Sequence, residues 1–175
     1  MKTKAVIFDM DGTLLDSMHI WQDSFNYQSL SKGYNGALKL KPGVLDFLNT
    51  LRENKIRMIL ATATDRHYVE PAIRNSRIAD YFERIFTCGE VGSEKHTPLI
   101  YNTALEYLGL DKDEVWIFED AHYAVKTAKQ AGYKVVGVYD KWAYSQDKIA
   151  LLSDIYIKSY DELRFCPEHQ SITLV

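Results

Sequence analysis

Two carboxylates close a short apolar run in the stretch Val6-Ile7-Phe8-Asp9-Met10-Asp11-Gly12-Thr13-Leu14-Leu15-Asp16-Ser17. The apolar residues are typical of a buried strand, and the Asp-Gly step is typical of a sharp turn. If the strand continues through both carboxylates, residues i and i+2 point to the same side of it. Two like charges that close repel each other unless a cation lies between them or one carboxylate binds a proton. The stretch is therefore a candidate active site, and an ordinary Asp-rich turn is the alternative.

The composition is that of an ordinary globular chain. Hydrophobic residues make up 46% and charged residues 26% of the 175 positions, which predicts a single domain with a sizeable core over residues 1–175. The formal net charge of −3 gives no reason to expect nucleic acid as a partner. No segment approaches the about 20 apolar residues that span a bilayer, so no membrane association is expected. Cys88 and Cys166 have neither metal nor disulfide spacing, which favours a reducing cytoplasm.

Strand-like and helix-like segments alternate along the chain. Apolar runs predict strands over residues 4–8, 56–61, 84–87, 115–118, 134–138 and 154–157. Helical spacing and capping signals predict helices after Pro42, from Asp65 toward Ser76, and over 99–108 and 121–131. This alternation predicts a three-layer α/β fold with a mostly parallel, doubly wound (Rossmann-like) sheet. Residues 166–175 have no clear assignment and are expected to form a poorly ordered tail.

Polar residues stand where the apolar runs stop. Asp9, Asp11, Thr62, Glu119 and Asp120 each end or follow a predicted strand. In an open parallel sheet, ligands bind at the carboxyl ends of the strands, near the point where the strand order reverses. Residues far apart in the sequence are therefore expected to line one cleft.

Four short motifs follow one another along the chain. The first is Asp9-Met10-Asp11-Gly12-Thr13, and the second is Thr62 within the strand end 59–65. The third is Lys95-His96-Thr97-Pro98-Leu99-Ile100-Tyr101, and the fourth is the acidic pair Glu119-Asp120. In this order the motifs resemble those of the haloacid dehalogenase superfamily of phosphatases and phosphomutases. The resemblance covers residues 1–17 and about 42–163, and it implies a haloacid dehalogenase-like core.

The resemblance implies catalytic roles for four residues. Asp9 would attack a phosphate monoester to form an aspartyl-phosphate, and Asp11 would act as general acid toward the leaving group and then as general base toward water. Thr62 would donate a hydrogen bond to a phosphate oxygen, and Lys95 would offset negative charge. These roles describe a phosphatase that acts on a small phosphorylated metabolite.

The same resemblance implies a metal site. Several carboxylates that face a phosphate dianion repel it, and Mg²⁺ is a hard cation that favours carboxylate, carbonyl and phosphate oxygens. Its ligands would be the Asp9 carboxylate, the Asp11 backbone carbonyl and Asp120, with Glu119 holding a coordinated water. Ordinary alternatives are a strand-end hydroxyl for Thr62, a solvated loop lysine for Lys95, and a helix cap for the acidic pair.

The chain departs from the resemblance in one large feature. Relatives with this kind of core insert a helical cap after the first motif, whereas here only residues 18–41 fill that gap. Residues 31–36 are rich in turn formers, which predicts a short flap, either naturally reduced or produced by a deletion. Aromatic residues that such a segment would expose favour a homo-oligomer with modest selectivity; they are Trp21, Phe25, Tyr27 and Tyr34.

Two other functions use similar residues. A sugar-phosphate mutase of the β-phosphoglucomutase type must shield its phosphorylated intermediate from water, and a cap normally provides that shielding. A non-enzymatic phospho-switch also places strand-end aspartates, a threonine and a lysine on a parallel sheet. The short segment argues against the mutase, and the acidic pair that follows the lysine argues against the switch.

Overall fold

A six-stranded parallel sheet forms the centre of the protein in the computed structural model, which describes residues 2–23, 27–36 and 38–175. The strand order is β3-β2-β1-β4-β5-β6, so the chain moves outward from β1 in one direction and then returns to its other side. The strands are β1 (Ala5–Phe8), β2 (Arg57–Thr62), β3 (Arg84–Thr87), β4 (Val115–Glu119), β5 (Lys134–Val138) and β6 (Ile155–Ile157). This is the doubly wound order, in which successive strands are added on one side of β1 and then on its other side.

Helices cover both faces of this sheet. The strand β1 is buried at all four residues, as expected when a parallel sheet lies between two helical layers. Its central residue Ile7 pairs with Ile59 of β2 and Ile117 of β4. The helices are α1 (Met18–Asp23), α2 (Tyr27–Asn35), α3 (Val44–Glu53), α4 (Arg66–Asn75), α5 (Cys88–Val91), α6 (Leu99–Leu108), α7 (His122–Gln130) and α8 (Gln146–Leu152). The prediction of a three-layer, mostly parallel α/β fold is confirmed.

Alternate residues of the strands supply two separate cores. Phe8 and Phe118 face one side of the sheet and pack with α3 and α4. Ile7 and Ile117 face the other side and pack with α6 and α7. The side-chain period of two that characterises a strand therefore divides each apolar run between the two layers. None of the helices in the described ranges has the length and hydrophobicity that crossing a membrane requires.

The prediction of a poorly ordered tail over residues 166–175 is wrong. Residues Leu163–Cys166 form β7 and Ser171–Leu174 form β8, and the two strands pair antiparallel as a hairpin. Phe165 and Ile172 lie opposite each other and are 5% and 3% exposed within the core on the α3 side. Burial of these two apolar side chains stabilises a segment whose sequence has no long apolar run.

The turn-rich prediction for residues 31–36 is also wrong, because Tyr27–Asn35 form helix α2. A Cβ at Gly33 would lie 2.9 Å from side-chain carbons of Ile20, so the glycine allows α2 to approach α1 closely. Tyr34 is fully buried, whereas Trp21 is 45% exposed, so the expected exposure is correct only for Trp21. Phe25 and the side chain of Tyr27 lie outside the described part of the chain.

Candidate active site

The carboxyl ends of β1, β2 and β4 meet at one edge of the sheet and line a cavity of about 240 Å³. The strand order reverses at β1, which is where ligands bind in folds of this kind. The structure brings together in this cavity all six residues for which the sequence predicted a role in catalysis or metal binding: Asp9, Asp11, Thr62, Lys95, Glu119 and Asp120.

Asp9 lies directly after β1 beside a buried ammonium group. Lys95 Nζ, from the loop between α5 and α6, donates hydrogen bonds to Asp9 and, at 2.6 Å, to Glu119. Burial alone would lower the pKa of Lys95, but the neighbouring carboxylates of Asp9 and Glu119 outweigh it and raise that pKa. Lys95 is 3% exposed, so the solvated loop lysine that the sequence left open as an alternative does not describe it.

Asp11 lies among neutral donors instead. Its carboxylate accepts hydrogen bonds from the hydroxyls of Ser17 (2.5 Å), Thr64 (2.6 Å) and Tyr34 (2.8 Å). Burial raises the pKa of Asp11 from 3.8 to about 6, although these hydroxyl bonds act in the opposite direction. A carboxyl group with this pKa can exist in either protonation state near neutral pH.

The acidic pair at the end of β4 completes the cavity. Oxygen atoms of Asp9, Glu119 and Asp120 lie within 4.8 Å of one another, and all three side chains are buried. Burial raises the pKa of Glu119 to about 7, and burial together with the charges of Asp9 and Glu119 raises that of Asp120 well above its ordinary value. The fully ionised cluster therefore requires a compensating positive charge beyond that of Lys95.

The donor set of this cluster fits a hard divalent cation. Carboxylate oxygens are the ligands that Mg²⁺ prefers, and three of them already converge. The first motif approaches Asp120 closely, because a Cβ at Gly12 would lie 2.2 Å from Oδ2 of Asp120. Gly12 also has a φ of +76°, so both its space and its backbone conformation favour glycine. The Asp11 carboxylate is not part of the cluster, which leaves it available for proton transfer.

Thr62 ends β2 and lines the cavity. Its Oγ1 accepts a hydrogen bond of 3.1 Å from the backbone N–H of Thr64. The local backbone bond that the sequence left open as an alternative is therefore present, and it orients the hydroxyl at the cavity wall.

Several residues around the site were missed by the sequence reasoning. Tyr101 donates a 2.8 Å hydrogen bond to Glu119, and its place in the third motif was the only sequence signal for it. Ser17 and Thr64 are hydroxyl residues close to motif residues, a signal that could have been used. Tyr34 comes from the helical segment α1–α2, and its sequence neighbourhood predicted a turn.

A buried lysine behind the first motif was missed as well. Lys41 Nζ donates to the Gly12 carbonyl (2.6 Å), to the Tyr139 carbonyl (2.5 Å) and to Asp140 Oδ2 (2.9 Å). The bond to Asp140 joins residues 99 positions apart, and neither residue stands in a recognisable motif. Lys41 thus connects the first motif to the loop after β5.

Comparison with known proteins places the chain in a family. Residues 29–138 match the family model described as haloacid dehalogenase-like hydrolase, which spans more than half of the chain. The chain belongs to the haloacid dehalogenase-like hydrolases. The matched residues include Thr62, Lys95 and the acidic pair, while Asp9 and Asp11 precede them.

Relatives agree with this assignment. Protein CbbY of Rhodobacter capsulatus is 24% identical over 193 residues, covering 78% of this chain and 85% of its own length. The phosphorylated carbohydrates phosphatase of Thermotoga maritima is 25% identical over 183 residues, covering 77% of this chain and 85% of its own length. Both alignments are longer than the 175-residue chain, so these relatives contain residues that have no counterpart here.

Solved structures share the fold. CbbY of Rhodobacter sphaeroides, in complex with xylulose-(1,5)-bisphosphate, matches with a TM-score of 0.80 and 19% identity over 92% of this chain and 96% of its own. A hydrolase of the same superfamily from Ehrlichia chaffeensis matches with a TM-score of 0.68 and 21% identity over 92% and 94%. Together, the family, the relatives and the fold confirm the prediction of a haloacid dehalogenase-like enzyme at the level of its class, the phosphatases.

Proposed function

We propose that the protein is a Mg²⁺-dependent phosphatase that hydrolyses small phosphate monoesters through an aspartyl-phosphate on Asp9. One observation supports this most directly. Two carboxylates of the same motif, Asp9 and Asp11, face one cavity, and one is paired with an ammonium group while the other is held only by hydroxyls. A nucleophile and a proton-transfer group require such different environments.

In the first step, a carboxylate oxygen of Asp9 attacks the phosphorus atom, and the bond from phosphorus to the ester oxygen breaks. Lys95 hydrogen-bonds Asp9, which orients the attacking carboxylate and offsets the charge of the phosphoryl group. Thr62 donates a hydrogen bond from its hydroxyl to a phosphoryl oxygen, while its Oγ1 accepts one from the Thr64 backbone N–H. These contacts act on position and charge, on which phosphoryl transfer depends.

Asp11 supplies and removes the proton. In its neutral form it donates a proton to the leaving alkoxide, and as a carboxylate it then takes a proton from the water that attacks the aspartyl-phosphate. The water oxygen bonds to phosphorus and the bond from phosphorus to the Asp9 oxygen breaks, which releases phosphate and regenerates the Asp9 carboxylate. The pKa of about 6 suits both roles, because neither protonation state is costly near neutral pH.

The metal ligands in this proposal are the carboxylates of Asp9 and Asp120 and the backbone carbonyl of Asp11, with Glu119 next to them. When bound, Mg²⁺ would neutralise the charge of the phosphate and of the acidic cluster. The raised pKa of Asp120 supports a cation here, since burial and its carboxylate neighbours disfavour the ionised form without one.

The substrate class and the setting are part of the same proposal. A small phosphorylated metabolite fits a cavity of about 240 Å³. A cytoplasmic location agrees with two cysteines that are both free thiols. Self-association through the α1–α2 segment has narrower support, because Trp21 is exposed but Tyr34 is buried. Light scattering would measure it.

The test is hydrolysis of p-nitrophenyl phosphate with Mg²⁺, with excess EDTA, and by the Asp9→Asn variant with Mg²⁺. We expect turnover only in the first sample. Acid quenching of the first sample followed by mass spectrometry should locate phosphate on the peptide that contains Asp9. Equal turnover in all three samples would refute the mechanism.

A further inference from the structure

A second groove of about 620 Å³ opens beside the catalytic cavity. The two share five lining residues, Met18, Trp21, Asp120, Ala121 and Tyr123, so they form one continuous depression. Its far wall is the loop after β5, which contributes Trp142 and Tyr144. A phosphate monoester whose phosphorus lies at Asp9 can extend into this groove.

The groove is lined by large aromatic side chains that remain accessible. Trp21 is 45%, Tyr123 40%, Trp142 36% and Tyr144 85% exposed. Exposed aromatic rings grouped at one site are unusual on a water-soluble surface, and they present flat π faces on which another ring stacks. Because the groove continues from the catalytic cavity, these rings are within reach of the part of a substrate beyond its phosphate.

We propose that this groove binds the leaving group of the substrate and selects phosphate monoesters whose alcohol carries a flat heteroaromatic ring. The proposal rests on the phosphatase function and specifies its substrate class. It differs from expectations based on the relatives, one of which is named for phosphorylated carbohydrates and another of which binds a sugar bisphosphate.

Charge and polarity distinguish the possible occupants. Among the described residues that line the two cavities, Lys95 is the only lysine or arginine, and it is already bonded to two carboxylates. Among these lining residues a second phosphate group would therefore meet no free cation, although Lys141 Nζ lies outside the lining, 5.5 Å from the Trp142 ring centroid. The polar groups of the groove, apart from Asp120, are the side chains of His122 and Ser145 and the ring-edge O–H and N–H groups of the tyrosines and tryptophans, so its broad surfaces are aromatic faces. A heteroaromatic ring loses little by entering such a groove.

Hydrogen bonds connect the backbone at Trp142 to the first motif. The Trp142 amide donates a 2.8 Å hydrogen bond to Asp140, and Asp140 pairs with Lys41 at 2.9 Å. Lys41 in turn donates to the carbonyl of Gly12 in the first motif at 2.6 Å. On the opposite wall, the Tyr123 ring stacks on His96 with centroids 4.5 Å apart. Anchoring of the Trp142 backbone and of the Tyr123 ring reduces the entropy that these two parts of the groove lose when a ligand binds.

The experiment measures affinity with the Asp9→Asn variant, so that no ligand is consumed. Isothermal titration calorimetry in Mg²⁺ compares adenosine 5′-monophosphate and pyridoxal 5′-phosphate with glucose 6-phosphate and glycerol 3-phosphate. All four are phosphate esters of primary alcohols, so the phosphate contributes equally and the Kd ratios report on the leaving group. We expect the two ring compounds to bind roughly tenfold tighter than the other two, from stacking on aromatic side chains.

Substitutions of the aromatic residues test whether the preference for ring compounds arises in this groove. Trp142→Ala, added to Asp9→Asn, should reduce the preference for ring compounds to about threefold or less, and Tyr144→Ala should reduce it in part. Tyr144 is so exposed that its removal does not disturb folding. Tyr107→Ala is the matched control, because Tyr107 is 44% exposed but lies against Phe86 on another face.

The outcomes separate the two proposals. Glucose 6-phosphate binding as tightly as the ring compounds, no measurable binding of any of the four, or a preference that survives both Trp142→Ala and Tyr144→Ala would overturn the ring site. Hydrolysis of p-nitrophenyl phosphate by the wild-type protein is scored independently. Ring-selective binding without hydrolysis would refute the phosphatase and leave the groove assigned, whereas hydrolysis without ring selectivity would refute only the groove.

Discussion

Asp9 and Asp11 are two residues apart and line one cavity, yet their surroundings have little in common. Asp9 lies with two further carboxylates and the ammonium group of Lys95. Asp11 has three neutral hydroxyls that come from the first motif loop, from β2's end and from helix α2. An ion pair places a permanent charge beside its partner, whereas hydroxyls can adapt to a carboxylate or to its neutral form.

This difference in surroundings explains how two aspartates of one motif can take on two kinds of chemistry. A nucleophile needs its charge in every turnover, and a proton-transfer group needs to gain and lose a proton within each turnover. The contrast comes from tertiary neighbours, since both residues are aspartates at the end of the same strand. Changing those neighbours, or the aspartates themselves, should therefore separate the two roles.

The largest expected effect is on catalysis, and it distinguishes the roles of Asp9 and Asp11 through esters with different leaving groups. Asp9→Asn should lower kcat/KM by at least about 1,000-fold for every ester, because no other group can replace the nucleophile. Asp11→Asn should lower it by about 100-fold or more for alkyl esters, which need a general acid. The loss should be much smaller for p-nitrophenyl phosphate, whose leaving group departs without a proton. The measurement is kcat/KM, which reports on the first irreversible step.

Asp46→Asn is the control for this comparison, since Asp46 lies exposed in the first turn of α3. It should change neither ester's kcat/KM. Equal losses for both esters in Asp11→Asn would contradict the acid role, and the contrast between the two aspartates would lose its chemical meaning.

The next effect concerns stability without metal. Lys95→Met removes the buried ammonium group and leaves Asp9 and Glu119 uncompensated. Breaking a buried ion pair from one side costs about 3–5 kcal/mol, so the free energy of unfolding in EDTA should fall by about that amount. Urea denaturation measures it, and Lys126→Met, at an exposed position on α7, should leave stability within about 0.5 kcal/mol. A loss as small as the control's would show that Lys95 is not needed to balance the cluster.

A third effect, on the stability of the metal-free protein, has the opposite sign and concerns Asp11. The pKa of Asp11 is about 6 in the folded protein against 3.8 ordinarily, so the folded state binds the proton more tightly. The contribution of Asp11 to the free energy of unfolding is therefore fully present below about pH 4. It is lost as the pH rises through 6, and the loss is about 3 kcal/mol at pH 7. Asp11→Asn should therefore stabilise the metal-free protein at pH 7.

Thermal or urea unfolding in EDTA between about pH 4 and pH 8 checks the sign. The difference between Asp11→Asn and wild type should be near zero at the acidic end and grow until the pH exceeds the pKa of Asp11. Asp46→Asn should show no such trend. A destabilised Asp11→Asn protein at pH 7 would mean that the hydroxyl bonds outweigh the burial of the charge.

The sheet and the charged residues of this site were accessible from the sequence. Three elements have the predicted bounds: the strands β3 and β5 and the helix α6. The apolar residues of each element and the closing Gly109 are local signals that the sequence itself contains. The convergence of Asp9, Thr62 and Asp120 also follows from local signals. Each lies where a parallel strand ends, and parallel strand ends meet at one edge.

The surroundings of those residues were not accessible. The Lys41–Asp140 pair and the bond from Tyr34 to Asp11 join distant segments that carry no motif. Helix α2 forms where turn residues dominate, since burial of Tyr34 and close packing at Gly33 override local preference. The hairpin β7–β8 likewise depends on burial of Phe165 and Ile172 rather than on its own sequence pattern. Tertiary contacts therefore determine the features that distinguish the two aspartates.

The smallest expected effect comes from the hydroxyl that α2 contributes. Tyr34→Phe removes one of three donors to Asp11 and keeps the ring packed against Tyr68 and Trp21. Donation to the carboxylate favours its ionised form, so its loss should raise the pKa of Asp11 further above 6. The hydrogen bond is worth about 1 kcal/mol, which corresponds to a shift of less than about one pH unit. The acidic limb of the pH profile of kcat, where Asp11 must act as a base, should move to higher pH by that amount while KM stays unchanged.

Ser17→Ala should move this limb in the same direction, and Tyr107→Phe should leave it in place. A Tyr34→Phe enzyme with an unshifted profile and a raised KM would instead assign Tyr34 to substrate binding, and α2 would then lie over the site without tuning it.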